Sequence, residues 1–118
     1  MHILKTHTIS FINAFKGIWT ALITQANIRI HFVIGSVVLF LSVYLQISSE
    51  HVIDLVLAIS MVMLAEMVNT SLEFMSDAVT QEHNENIKMA KDVAAGAVLF
   101  TAIFAAIIGI FIFIPKLI

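Results

Sequence analysis

The chain has 118 residues, 60% of them hydrophobic and 12% charged, with a formal net charge of −2 and no cysteine. Soluble domains are roughly 45–50% apolar, so a water-soluble fold of this size would expose broad greasy patches; the composition selects an all-α integral membrane protein of one domain, residues 1–118. The lack of a basic run leaves no electrostatic footprint for nucleic acid, and the lack of cysteine excludes thiolate metal sites and thiol nucleophiles.

Residues from about 8 to 27 come first. Phe11, Phe15, Ile18, Trp19, Leu22 and Ile23 recur at helical spacing, with Asn13, Lys16, Thr20 and Thr24 on other faces. This pattern predicts an amphipathic helix on the membrane surface, with Trp19 at the headgroup boundary. A helix packed on its own bundle would show the same pattern. The next segment, about 28–47, holds an apolar run from Ile30 to Ile47 interrupted only by His31, Ser36, Ser42, Tyr44 and Gln46, about the ~20 residues needed to cross a bilayer. No charged-then-apolar leader with a cleavage site precedes it, so this first span is expected to stay in the mature protein.

A break over Ser48–Asp54 separates it from a second span at about 52–79. Thr80 to Asn86 reads as a loop. A third span at about 88–114 follows, with Pro115-Lys116 expected to end it. This span carries ladders of small residues, Ala90, Ala94, Ala97, Thr101 and Ala105 on one line and Ala102, Ala106 and Gly109 on another. Small side chains let helices approach closely in lipid. Five of the six basic residues (Lys5, Lys16, Arg29, Lys88, Lys91) flank the amino-terminal end and the second loop, leaving Lys116 at the other side. The positive-inside rule then places the amino terminus and that loop in the cytoplasm, in a multi-pass protein of the cell membrane.

The most informative segment lies in the second span: Glu66, Asn69, Glu73 and Asp77, at spacings of three, four and four. At about 100° per residue these side chains fall within roughly 80° of one helix face. A carboxylate facing lipid costs several kcal/mol, so Glu66 and Glu73 must look into protein or an aqueous cleft. Glu73, Asp77, Lys91 and Asp92 are expected at the cytoplasmic end, and Glu66 roughly 10 Å deeper. Three short spans shield four polar groups poorly, which favours an oligomer with sites between subunits. Phosphoryl transfer needs a base, carboxylate-held Mg²⁺ and a cation against developing charge, roles open to Glu66, Glu73 and Lys91. A proton or ion pathway is the other reading of an acid chain in a membrane. The glycines at 17, 35, 96 and 109 form neither a G-x-x-x-x-G-K-[ST] loop nor a G-x-G-x-x-G turn.

Glu66-x-x-Asn69-x-x-x-Glu73-x-x-x-Asp77, followed by Ala90-Lys91-Asp92-x-Ala94-Ala95-Gly96-Ala97-Val98, resembles the prokaryotic diacylglycerol kinase and undecaprenol kinase family. The likeness runs from Phe15-Lys16-Gly17 through Asn27-Ile28-Arg29-Ile30-His31 to Phe113-Ile114-Pro115-Lys116. It implies a small membrane kinase with three spans and an amphipathic surface helix, assembled as a homotrimer whose sites combine residues of neighbouring subunits. It also implies roles: Glu66 as the base for the lipid hydroxyl, and Glu73 as a ligand of the Mg²⁺ that accompanies ATP. Asn69 and Asp77 would line the same face, Lys91 would meet the ATP phosphates, and Asp92 would fix the site through Lys91 or the ribose. Asn69 could instead make an interhelical hydrogen bond, and Lys91-Asp92 could be a charge pair at a helix start.

Two positions depart from the family pattern. Where an acid commonly helps to hold the metal, the chain has Gln25, whose neutral carbonyl is a weaker ligand for a hard cation. In the loop the chain reads Glu82-His83-Asn84, so Glu82 is carried over to nucleotide contact while His83 reads as solvated. The histidines at 2, 7, 31 and 51 show no ligand spacing. The expectation is an ATP-Mg²⁺-dependent kinase acting on a membrane lipid alcohol. Undecaprenol is preferred to diacylglycerol because the short amino terminus, Arg29-Ile-His31 and the Ile-Pro-Lys ending resemble the undecaprenol branch. A non-enzymatic proton- or ion-conducting oligomer, or an inactive kinase homologue suggested by Gln25 and Asn84, is the alternative.

Overall fold

A computed structural model describes residues 1–118 as four helices: α1 (His2–Thr24), α2 (Ala26–Tyr44), α3 (Ser49–Val79) and α4 (Glu85–Leu117). Three of them, α2, α3 and α4, are long and apolar enough to cross a membrane. The chain is thus all-helical, with α3 packed between α2 and α4. Its extents are 52 × 47 × 20 Å. Three adjacent helices fill the long and the thin dimensions, and the breadth requires α1, which touches α2 and α3, to run out sideways.

The junctions explain these directions. One extended residue, Gln25 (φ −116°, ψ 112°), ends α1 and begins α2. Helix carbonyls at a C-terminus lack partners within the helix; here the Arg29 guanidinium donates to the carbonyls of Leu22 (2.8 Å) and Ile23 (3.1 Å). The α2–α3 turn is a Schellman motif. Ile47 N–H donates to Ser42 O and Gln46 N–H to Val43 O, with Gln46 at φ 56° and Ile47 buried behind it. The break expected over Ser48–Asp54 is therefore shorter. Glu50, His51 and Asp54 belong to α3, because polar side chains at a helix end stand in water without interrupting the backbone ladder. At the next corner Asn84 caps α4, its Oδ1 accepting from the N–H groups of Asn86 (3.0 Å) and Ile87 (3.2 Å).

Two other boundaries differ from the sequence expectation. α1 begins at His2 and stops at Thr24, so Gln25 lies in a corner. α4 continues through Pro115 to Leu117: a proline near a helix end forfeits one backbone bond where carbonyls are already losing partners.

Membrane thickness turns these lengths into position. α2, with 19 residues, is about 28 Å long, close to the ~30 Å hydrocarbon core. α3 has 31 residues and α4 has 33, about 46 and 50 Å, so both outlast α2. α2 and α3 share the short turn at 45–48, so the surplus of α3 emerges at the opposite face, beside the 80–84 loop. Glu73 and Asp77 lie on that surplus, and Lys88, Lys91 and Asp92 on the first turns of α4 beside the same loop.

Only 10 of 118 residues are buried, and none of them is in α4. α1 contributes only Ala21; Phe11, Phe15 and Trp19 are exposed. Packing of α1 on its own bundle is therefore confined to its last turns. At Gly35 α2 lies close on α3: an added Cβ would stand 2.8 Å from Ile59 Cγ2. Small side chains elsewhere leave a cavity instead. Gly35, Ala58, Ala102, Ala105, Ala106 and Gly109 help to line a space of about 550 Å³ between α2 and α4, above α3.

Candidate functional site

The α3 face carrying the acids is graded by depth. Glu66 is 3% exposed and is the one charged residue that is buried. Asn69 and Glu73 are half-buried and Asp77 is exposed. Buried Thr70 returns its hydroxyl proton to the Glu66 carbonyl at 2.9 Å, leaving the Glu66 carboxylate to other partners. That partner comes from α2: His31 Nε2 lies 3.4 Å from Glu66 Oε1. No fully buried side-chain nitrogen or oxygen in the chain lacks a hydrogen-bond partner.

Nearer the loop, Asn69 Nδ2 donates to Glu73 Oε1 at 3.4 Å, one helical turn away on the same helix. Asn69 thus serves its own helix and makes no bond to another helix of the same chain. Lys91 Nζ reaches across from α4 to Asp77 Oδ1 at 3.5 Å. Asp92 is not held by Lys91; it pairs with Lys88 Nζ at 2.8 Å along α4, because residues four apart share a helix face. In the loop, Glu82 is exposed and its N–H is taken by Thr80 Oγ1, while His83 pairs with Glu85 at 2.7 Å. Gln25 makes no side-chain capping bond at its corner.

One chain therefore assembles Glu66 with His31, Glu73 with Asn69, and Asp77 with Lys91, stepping from membrane depth to the water-exposed end of α3. It provides no group of three or more His, Asp or Glu side chains poised to hold a metal. The donors present are hard oxygens, the Glu73 carboxylate beside the Asn69 amide. Such a set suits Mg²⁺, which takes one or two protein carboxylates and completes its shell from water and substrate phosphates.

A family profile described as "Prokaryotic diacylglycerol kinase" matches residues 12–113, which include every residue of this site. The chain belongs to the prokaryotic diacylglycerol kinase family. Among its relatives, the undecaprenol kinase of Bacillus subtilis (strain 168) is 36% identical over 108 residues, covering 92% of this chain and 88% of that protein. The diacylglycerol kinase of Synechocystis sp. is 41% identical over 110 residues, 92% of this chain but 63% of the longer relative. The diacylglycerol kinase of Escherichia coli (strain K12) is 28% identical over 94 residues, 80% and 77% of the two chains. Membership makes this chain a membrane-embedded lipid kinase.

The contact that sequence reasoning missed is His31. Its pairing with Glu66 depends on which turn of α2 faces which turn of α3, and no spacing within one helix reports that. Arg29 and Asn84 were likewise visible as residue types but not as the groups that close the two corners flanking the site.

Proposed function

We propose that this lipid kinase transfers the γ-phosphoryl group of ATP to the primary hydroxyl of a membrane lipid alcohol, undecaprenol in preference to diacylglycerol, at the cytoplasmic face. The supporting observation is the depth gradient on α3: a buried carboxylate at Glu66, an Mg²⁺-suited carboxylate at Glu73, and a lysine at Asp77. The acceptor's oxygen attacks the γ-phosphorus as its proton passes to Glu66. The bond from that phosphorus to the β–γ bridging oxygen breaks, and ADP departs. Lys91, released from Asp77 toward the nucleotide, offsets charge on the phosphates; Asp92, Glu82 and Asn69 line the nucleotide side. Glu73, with Gln25 as a neutral second donor, would hold Mg²⁺, which would offset negative charge on the phosphates.

Depth supports the lipid side of this reading. Glu66 sits where an alcohol anchored in the bilayer can arrive laterally, while Asp77 and Lys91 stand in reach of a water-borne nucleotide. Below Glu66 the polar face stops. Of the 16 residues lining the cavity there, 13 are hydrophobic, so an ion entering at Glu73 would meet no continuing polar path, which speaks against conduction. The cytoplasmic orientation rests on the basic residues around α1, α2 and the 80–84 loop. The exposed apolar side chains of α1 support its lying on the membrane surface. The unburied α4, with its small-residue ladders, supports assembly into a homotrimer in which neighbouring subunits complete each site.

The decisive experiment incubates purified protein with γ-labelled ATP, Mg²⁺ and either undecaprenol or diacylglycerol in mixed micelles. Labelled lipid phosphate, faster with undecaprenol, is the expected result; label on neither alcohol would reject the kinase reading, and faster diacylglycerol would reverse the preference.

A further inference from the structure

We propose that His31 is a positioning residue for Glu66, its imidazole fixing one carboxylate oxygen so that the other meets the incoming hydroxyl; this rests on the kinase reading above. The contact joins two helices, Nε2 on α2 to Oε1 on α3 at 3.4 Å. The Glu66 side chain is 4% exposed, so water cannot orient it, and the nearby polar groups are engaged elsewhere. Thr70 donates to the backbone of Glu66 and Asn69 to Glu73. His31 is the side chain left to decide where the carboxylate points.

The imidazole is itself held. Ile28, His31 and Gly35 recur at spacings of three and four and share one face of α2. Ile28 is 1% exposed and Gly35 is pressed against Ile59 of α3, so α2 is packed on both sides of the histidine. The ring also borders the apolar cavity, whose lining does not include Glu66. At 3.4 Å the two atoms are in ion-pair contact without hydrogen-bond geometry; an imidazole protonated at Nε2 becomes a donor to Oε1 when the contact shortens and aligns, as catalytic contacts in ligand-free sites do once the reacting groups are in place. A carboxylate left free to rotate would spend less time aligned with the hydroxyl, and misplacement by about 1 Å costs up to the order of 10²-fold in rate.

The test compares His31→Leu with His31→Gln, which have similar bulk but differ in the N–H donor. His31→Leu should lower kcat by about 10- to 100-fold with KM for ATP unchanged, and His31→Gln should recover most of that loss. Equal loss in both variants, or loss in neither, would overturn the proposal. A second measurement needs no turnover: in ¹⁵N-histidine-labelled protein, Glu66→Gln should move the His31 imidazole resonances, and unmoved resonances would overturn the contact. Wild-type protein that phosphorylates no lipid alcohol would overturn the kinase reading instead, and the imidazole shift would then decide the His31–Glu66 contact by itself.

Discussion

The two halves of α3 solve opposite problems. From Leu55 to Val62 the helix buries aliphatic side chains beside an apolar cavity bounded by the small residues of α4. From Glu66 to Asp77 the same helix carries a buried acid, a half-buried acid and an exposed acid, each within reach of a partner. The first half contributes shape alone. The second places charge at controlled depth, which in a membrane is costly unless it faces protein or water. Under the proposed function, chemistry is confined to the Glu66–Asp77 half of α3, which leads out of the bilayer, while the Leu55–Val62 half serves as a scaffold.

The sharpest way to break that contrast is Glu66→Gln, which keeps size and removes the proposed base. Loss of at least about 10²-fold in lipid phosphate formation is expected, with helix content by circular dichroism retained. Unchanged turnover would show that depth does not mark the reacting centre. On the scaffold side, Gly35→Ala places a methyl 2.8 Å from Ile59 Cγ2. It should lower stability by about 1–3 kcal/mol in a reversible SDS-unfolding titration, since overpacking forces helices or rotamers to shift.

Lys91→Ala should raise KM for ATP about tenfold, the order of one charge-assisted hydrogen bond, while substituted Asp77 should act more weakly. A matching loss with the lipid alcohol varied instead would move Lys91 to the acceptor side of the site. Asn84→Ala removes a capping oxygen that accepts two N–H groups and should cost about 1 kcal/mol of stability by the same titration. The smallest effect is expected from Gln25→Glu: a modest reduction in the Mg²⁺ concentration needed for half-maximal rate. An identical metal titration would place Gln25 outside the metal's reach.

Much of this division was legible in the residues. The acid spacing on α3, the three apolar spans and the family likeness all follow from patterns within one helix, and such patterns survive folding because they are local. What escaped was relational. His31 looked like an interruption in an apolar run until α2 was set against α3, whereas the Lys88–Asp92 pair, four apart on one helix, was local and was passed over in favour of Lys91 or the ribose as the partner of Asp92. The departure at Asn84, which suggested a weakened nucleotide loop, has a structural use as the cap of α4. Pro115 was expected to stop a helix that in fact runs past it, because a missing backbone donor matters little in a terminal turn.

The 20 Å thinness of the molecule inverts an ordinary rule of tolerance to substitution. A slab one or two helices deep leaves most side chains of a single chain looking outward, and wherever they meet hydrocarbon, trading leucine for phenylalanine alters little that a fluid solvent cannot accommodate. Polarity, rather than volume, becomes the property under constraint over most of the chain. Steric exactness is demanded only along the seams at Ile28, Gly35, Leu55 and Val62, where one rod lies directly upon the next.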